Sequence, residues 1–367
     1  MTTFGHTIAA ACDDGTVCIF DSITGILRLS LSPADPVQAI AGSPDGSTLF
    51  CAHQAPSITV WDIQTGGLVH TFALERRVGD INVSLKGRYL ACGLSDGSVE
   101  VREVVSDMEG AAIWTGSPVT CFCWLDPEER LAASTRELVD IRDVFNGVVL
   151  HSVVIRYPAH LMVKSQRLNR SALMANLSPG SAMTIINPET GAFSTPRVVH
   201  KTLSCFAFSQ TTEELVCSSE TQGLQRFKVS TGRWRDIEYP DAMTSISSLP
   251  NGIVAANLAA SGLQLLNLDG GNSVSRQQTV SPPTVSPFAV QAFDQGRIIA
   301  TLPTSRDHIV LLETATMLPL LTIRARYTRV LCASLHHRVA LHSPEVFGKC
   351  VWSCGSSTAI VRSGLWK

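Results

Sequence analysis

Short runs in which apolar and polar residues alternate are cut by turn residues at nearly even intervals along the whole chain. Ser57-Ile58-Thr59-Val60-Trp61 and Ser98-Val99-Glu100-Val101 have the period of two expected of strands. Val37-Gln38-Ala39-Ile40-Ala41 and Leu203-Ser204-Cys205-Phe206-Ala207 are largely apolar, as in strands covered on both faces. No unit holds a 3.6-residue apolar stripe of helix length. The expected elements are therefore strands.

The strands come in a repeat. An aliphatic residue, any residue, then usually a small one recurs as Ile8-x-Ala10, Leu49-x-Cys51, Leu90-x-Cys92, Leu131-x-Ala133, Leu173-x-Ala175, Leu215-x-Cys217, Ile253-x-Ala255, Ile298-x-Ala300 and Val339-x-Leu341, at intervals of 38 to 45 residues. About 17 residues after it stands a glycine turn: Thr24-Gly25, Thr65-Gly66, Asn146-Gly147, Thr190-Gly191, Thr231-Gly232 and Asp269-Gly270. Two repeats miss this landmark, near Ser106 and Ala315. Each unit offers four short strands, with the aliphatic-x-small signature on the second, and four antiparallel strands per unit make one propeller blade. A small residue on a strand between neighbouring blades leaves room for a bulky partner.

The expected fold is an all-β propeller with blades near 7–31, 37–74, 77–114, 119–155, 159–199, 203–239, 242–280 and 287–326. Val330–Leu335 would supply the closing strand, because the first unit lacks its own first strand. This gives a domain over 1–335 with eight blades preferred, seven or nine remaining possible. Residues 336–367 would be extra strands or a degenerate ninth repeat, with His336-His337 in a turn. Gly270 to Pro287, rich in Ser, Pro and Gln, reads as a loop.

Several of these units resemble the WD40 repeat. Gly42-Ser43-Pro44-Asp45-Gly46 resembles that family's turn between first and second strands, and Trp61-Asp62 matches the dipeptide that names it. Phe20-Asp21 and Arg102-Glu103 are degenerate versions, while Asp13-Asp14-Gly15 and Ser95-Asp96-Gly97 resemble the turn between second and third strands. In the family, an aspartate at that turn joins a His–Ser/Thr–Trp hydrogen-bond network; here the network reads as incomplete, so packing between blades is expected to dominate. The first three units also resemble the C-terminal propellers of NACHT–WD40 signal-transducing NTPases. No P-loop accompanies them, so that likeness implies a detached sensor domain.

Composition narrows the function. Hydrophobic residues make up 45% and charged residues 16%, with a net charge of −2, which disfavours a nucleic-acid surface. No apolar run has the length and purity of a membrane span. Most of the 11 cysteines sit in apolar strand-like runs without a CxxC pair, which points to structural thiols in an intracellular, cytoplasmic setting. The 10 histidines show no metal or triad spacing, so neither a cofactor nor an active site is expected. The best recognition candidates are aromatic–arginine groups: Arg233, Trp234 and Arg235 after a hairpin turn, and Arg326, Tyr327 and Arg329 between two blades. The expected function is a non-catalytic scaffold or sensor-type propeller that binds other proteins. A propeller enzyme with its site at the central channel is the alternative from another class.

Overall fold

Strand pairing organises the described residues, among which no helix occurs. The computed structural model describes residues 6–12, 14–21, 24–84, 86–104, 111–114, 118–125, 130–156, 159, 161–165, 170–177, 180–187, 189–194, 197–199, 203–209, 213–219, 224–237, 243–249, 253–258, 262–267, 275–279, 287–293, 298–303, 308–324, 330–337 and 350–352. Among these the strands form eight antiparallel sheets, seven of them four-stranded.

Two compact units divide the chain, one comprising 1–131, 143–148 and 323–367, the other 132–142 and 149–322. In the first unit, sheet 1 runs His6–Cys12, Val17–Asp21 and Leu27–Leu31. Val330–His337 pairs with its strand His6–Cys12, and Cys350–Trp352 pairs in turn with Val330–His337. Sheet 2 holds Val37–Gly42, Thr48–His53, Ser57–Asp62 and Leu68–Ala73, and sheet 3 holds Val78–Val83, Tyr89–Leu94, Val99–Glu103 and Ala111–Trp114. Sheet 4, Cys121–Trp124, Arg130–Ser134, Leu138–Asp143 and Val149–Val154, is divided between the two units, with 132–142 and 149–154 in the second.

In the second unit, sheet 5 consists of Leu161–Ser165, Arg170–Leu177, Gly180–Ile186 and Arg197–Val199. Sheet 6 consists of Leu203–Phe208, Glu214–Ser219, Leu224–Lys228 and Arg233–Ile237. Sheet 7 is Met243–Ser248, Ile253–Leu258, Gly262–Asn267 and Ser275–Thr279, and sheet 8 is Pro287–Phe293, Ile298–Pro303, His308–Glu313 and Pro319–Arg324.

The core explains the repeat. Leu49 and Cys51 face sheet 1 with Ala9, Ala11, Val17 and Ile19, while Phe50 and Ala52 face sheet 3 with Val78, Ile81, Leu90 and Cys92. Sheet 2 is thus covered on both sides, which is why its second strand is apolar at every position from Leu49 to Ala52. In the second unit, Leu215 and Cys217 pack with Met183 and Ile185 of sheet 5, and Val216 packs with Val254 and Ala256 of sheet 7. Each such fully buried Leu, Ile or Phe contributes about 2 kcal/mol of transfer free energy. The first strand opens on a register shift in five sheets, at Val37/Ala39, Val78/Asp80, Leu203/Cys205, Met243/Ser245 and Pro287/Ala289.

The turn between third and fourth strands is built the same way in several sheets. The N–H groups of Gly25, Gly66, Gly191 and Gly232 bond the carbonyl four residues earlier at 2.8–2.9 Å, and each glycine has a φ of 65–70°. In sheet 8, where the glycine is missing, Met317 takes this position with a φ of 54° and bonds the Glu313 carbonyl at 2.7 Å. A side chain in the left-handed region costs about 1 kcal/mol. Burial of Met317 among Leu249, Ala255, Leu263 and Leu312 offsets it, since a buried methionine contributes about 2 kcal/mol.

Three expectations need correction or placing. His336 and His337 stand in a strand rather than a turn, opposite Thr7 and His6. Ser275–Thr279, read as part of a loop, is the fourth strand of sheet 7, held by ladder bonds to Gln264–Asn267; its all-polar sequence hides it. Arg338–His342, with the ninth signature Val339-x-Leu341, lies outside the described residues.

Candidate interaction surface

The Asp or Asn at the end of the third strand sets the local geometry of the turn that follows it. Asp62 Oδ1 accepts the N–H groups of Gln64 (2.8 Å) and Thr65 (2.7 Å), and Asp143 Oδ1 accepts those of Phe145 (2.8 Å) and Asn146 (3.3 Å). Asp21 does the same for Thr24 at 2.9 Å, and Asn187 for Glu189 at 3.0 Å. The aspartate of the Trp-Asp dipeptide is therefore a turn cap here. Hydrogen bonds from Thr65 hold the Asp62 carboxyl below its ordinary pKa.

Residues after these caps are pinned, yet their side chains stay exposed. Ile26 (65% exposed) and Leu27 follow the first turn, and Leu68 and Val69 (64%) the second. Val148, Val149 and Leu150 follow the turn of sheet 4, and Leu318 and Leu320 that of sheet 8. Phe145, at the tip of a turn, is 76% exposed. The Arg88 guanidinium lies 5.1 Å from the Tyr89 ring and 5.8 Å from the Phe145 ring, and its Nε bonds Glu103 at 2.9 Å. This aromatic–arginine group escaped sequence reading because its members lie far apart in the chain. The one local hint was Phe145 immediately before the Asn146-Gly147 landmark.

Arg233, Trp234 and Arg235 lie on the outermost strand of sheet 6, opposite Lys228, Phe227 and Arg226. Both arginines are exposed, whereas Trp234 is half-buried with its ring 4.9 Å from that of Phe227. It packs onto the cluster that includes Met183 and Ile185 of sheet 5, and its buried Nε1 has no hydrogen-bond partner among the described residues. Trp234 is thus a floor, flanked by two exposed arginines. Arg326, Tyr327 and Arg329 lie outside the described residues.

One polar group, His53, is buried more deeply. His53 Nδ1 lies 3.0 Å from the Asp35 carbonyl, its Nε2 lies 2.8 Å from Thr59 Oγ1, and Trp61 Nε1 donates to the same Thr59 oxygen at 2.8 Å. The carbonyl must accept, so Nδ1 carries the proton and Nε2 accepts from the threonine hydroxyl. Every polar atom in the relay is satisfied. Its histidine comes from the end of the second strand, and Asp14 and Asp96 instead cap their own turns through Thr16 and Ser98.

Cys18, half-buried on the second strand of sheet 1, stands opposite Ala10 and Ser30. A hydrogen bond from the Cys12 thiol, aided by Ser30 and opposed by burial, lowers the Cys18 pKa to about 7. The Thr16 side chain assists in the same direction. Burial drives Cys121 the other way, up to about 12, and raises Cys92 further still. Alkylation by iodoacetamide is therefore expected at Cys18 with a midpoint near pH 7, while Cys92 and Cys121 stay inert. Peptide mapping after a pH series checks this; a Cys18 midpoint at the ordinary thiol value would refute the assigned donors. Among the described residues, no group of three or more His, Cys, Asp or Glu could hold a metal ion.

No family model matches the chain. The Retinoblastoma-binding protein 5 homolog of Drosophila melanogaster is 27% identical over 160 residues, covering 37% of this chain and 32% of that protein. The match thus spans about a third of the relative's length. Among solved structures, dihydro-heme d1 dehydrogenase NirN in complex with DHE superposes with a TM-score of 0.70 at 13% identity, covering 90% of this chain and 75% of that one. The Myceliophteria thermophila Swd1 β-propeller domain gives 0.53 at 17% identity, with 72% and 93% covered. One of these neighbours is an enzyme by its name, so such likeness carries the fold alone. Four-stranded antiparallel sheets on a beat of about 41 residues, a Trp-Asp turn cap and these neighbours make the chain similar in fold to WD40 β-propellers.

Proposed function

We propose that the chain is a non-catalytic, intracellular protein-interaction scaffold, cytoplasmic in setting, with other proteins as its partners. We further propose that the eight sheets are the blades of one domain over 1–335. A single observation carries the functional reading: large apolar side chains are exposed at the same place in sheets 1, 2, 4 and 8, just after the turn between third and fourth strands. Isolated exposed hydrophobes are ordinary, but their recurrence on rigid, equivalent positions is the pattern of a surface kept for contact. Phe145 beside Arg88 supplies the aromatic and arginine chemistry on which interface energy concentrates.

The test uses the full chain and a triple variant, Ile26→Glu, Leu68→Glu and Phe145→Glu, each at an exposed position. Proteins recovered in stoichiometric amount by the parent and lost by a folded variant support the scaffold. Identical recovery by both, or no stoichiometric partner at all, overturns it.

A further inference from the structure

We infer that the outer strand of sheet 6, Arg233–Ile237, is a docking edge for an extended acidic segment of a partner protein. The inference rests on the scaffold reading and names the chemistry of one partner.

The register is the starting point. Lys228 stands directly opposite Arg233, and Arg226 directly opposite Arg235. Like charges at opposed positions of an antiparallel pair destabilise the sheet, and here two such pairs occur in succession. Glu214, on the neighbouring strand, is consumed by Arg226 through a salt bridge to its Nε (2.7 Å) and Nη2. Among the described residues no carboxylate bridges Lys228, Arg233 or Arg235, and all three are exposed. Asp236 points to the other face, where Gln225 Nε2 donates to it at 2.5 Å. Among the described residues, then, these three cations make no salt bridge, even though Glu214 stands opposite Lys228, in a chain whose net charge is −2.

Edge and floor fit the same occupant. Arg233–Ile237 is the last strand of its sheet, so alternate backbone N–H and C=O groups face outward, ready to pair with an added strand. Positive charges on such an edge repel a second copy of itself and favour a strand bearing carboxylates. With side-chain alternation, an added strand places every second residue against Lys228, Arg233 and Arg235 and the others beside Trp234. The half-buried Trp234 ring on Phe227 keeps this edge stiff, which lowers the entropy cost of docking. A nucleic-acid partner is disfavoured, because three cations without a wider basic field give little counterion release.

The probe is a fluorescein-labelled decapeptide of alternating glutamate and valine, titrated by anisotropy into the full chain. A lysine–valine decapeptide and a labelled DNA duplex serve as comparisons. Expected are binding of the acidic peptide that weakens with salt, no binding of the basic one, and a loss of about tenfold in affinity for Arg233→Glu with Arg235→Glu. Slowed amide exchange at 233–237 on adding the acidic peptide reports strand addition. Binding unchanged by the double variant, absence of amide protection, or tighter binding of the duplex with the same sensitivity would each overturn the proposal. If the double variant abolishes peptide binding but keeps its protein partners, the scaffold stands and the edge serves a different partner; loss of both partners and peptide would link them.

Discussion

Replacing Gly97 by alanine is expected to destabilise the chain by about 3 kcal/mol, while Gly15→Ala costs only about 1 kcal/mol. The two turns are built alike: φ is 84° at Gly97 and 86° at Gly15, and an aspartate one residue earlier caps each. Their surroundings differ. A Cβ at Gly97 would lie 2.4 Å from both Cα and Cβ of Pro118, whereas at Gly15 nothing stands within 4 Å. Backbone cannot rotate aside as a flexible side chain can. Pro118 would have to move, and with it the bond from the Val119 N–H to the Gly97 carbonyl at 2.7 Å. Left-handed strain accounts for the cost at Gly15; overlap and a weakened hydrogen bond supply the rest at Gly97. Urea midpoints followed by tryptophan fluorescence measure the difference at constant m-value. Equal midpoints for the two variants would mean that the Pro118 segment yields freely.

What was legible in the sequence follows from the same physics. Ile8-x-Ala10, Leu49-x-Cys51, Leu90-x-Cys92 and Leu215-x-Cys217 announce second strands because both faces of those strands are buried, and burial filters residues at every position. Trp61-Asp62 was legible as a motif, but not as a turn cap joined to a buried relay, since His53 and Asp35 enter from other segments. Met317 was illegible: local turn chemistry calls for glycine, and burial against sheet 7 overrides it. Ser275–Thr279 was lost because a ladder of backbone bonds leaves no apolar pattern in its side chains. At the candidate surface, Arg233-Trp234-Arg235 could be read as a cluster, yet its opposed cations appear only once Lys228 and Arg226 are placed across the ladder. Arg88 and Phe145 needed the fold to meet. Local chemistry survives in sequence, and contact across sheets does not.

Thr59→Val should cost about 2 kcal/mol, even though the substitution preserves shape and adds no volume. Thr59 both donates to His53 Nε2 and accepts from Trp61 Nε1, so one change orphans two partners. His53 is 1% exposed and has no water to turn to, while half-buried Trp61 recovers part of its loss. The relay also fixes the sign of a pH effect. Burial lowers the His53 pKa below its ordinary 6.5, against the opposing pull of the Asp35 carbonyl. The unfolded chain therefore binds a proton before the native one does, and stability falls as pH drops below about 6.5 toward the depressed native value. Protonation would put a second N–H on the ring, facing the Thr59 hydroxyl that now donates to it, and force that hydroxyl to turn. His53→Phe removes the titrating group, so its stability should lose this component of the acid slope while remaining lower overall. Urea midpoints between about pH 5 and 8 read both effects. A Thr59→Val midpoint equal to that of the parent, or an acid slope unchanged in His53→Phe, would show that this relay is not what holds the Trp61 corner.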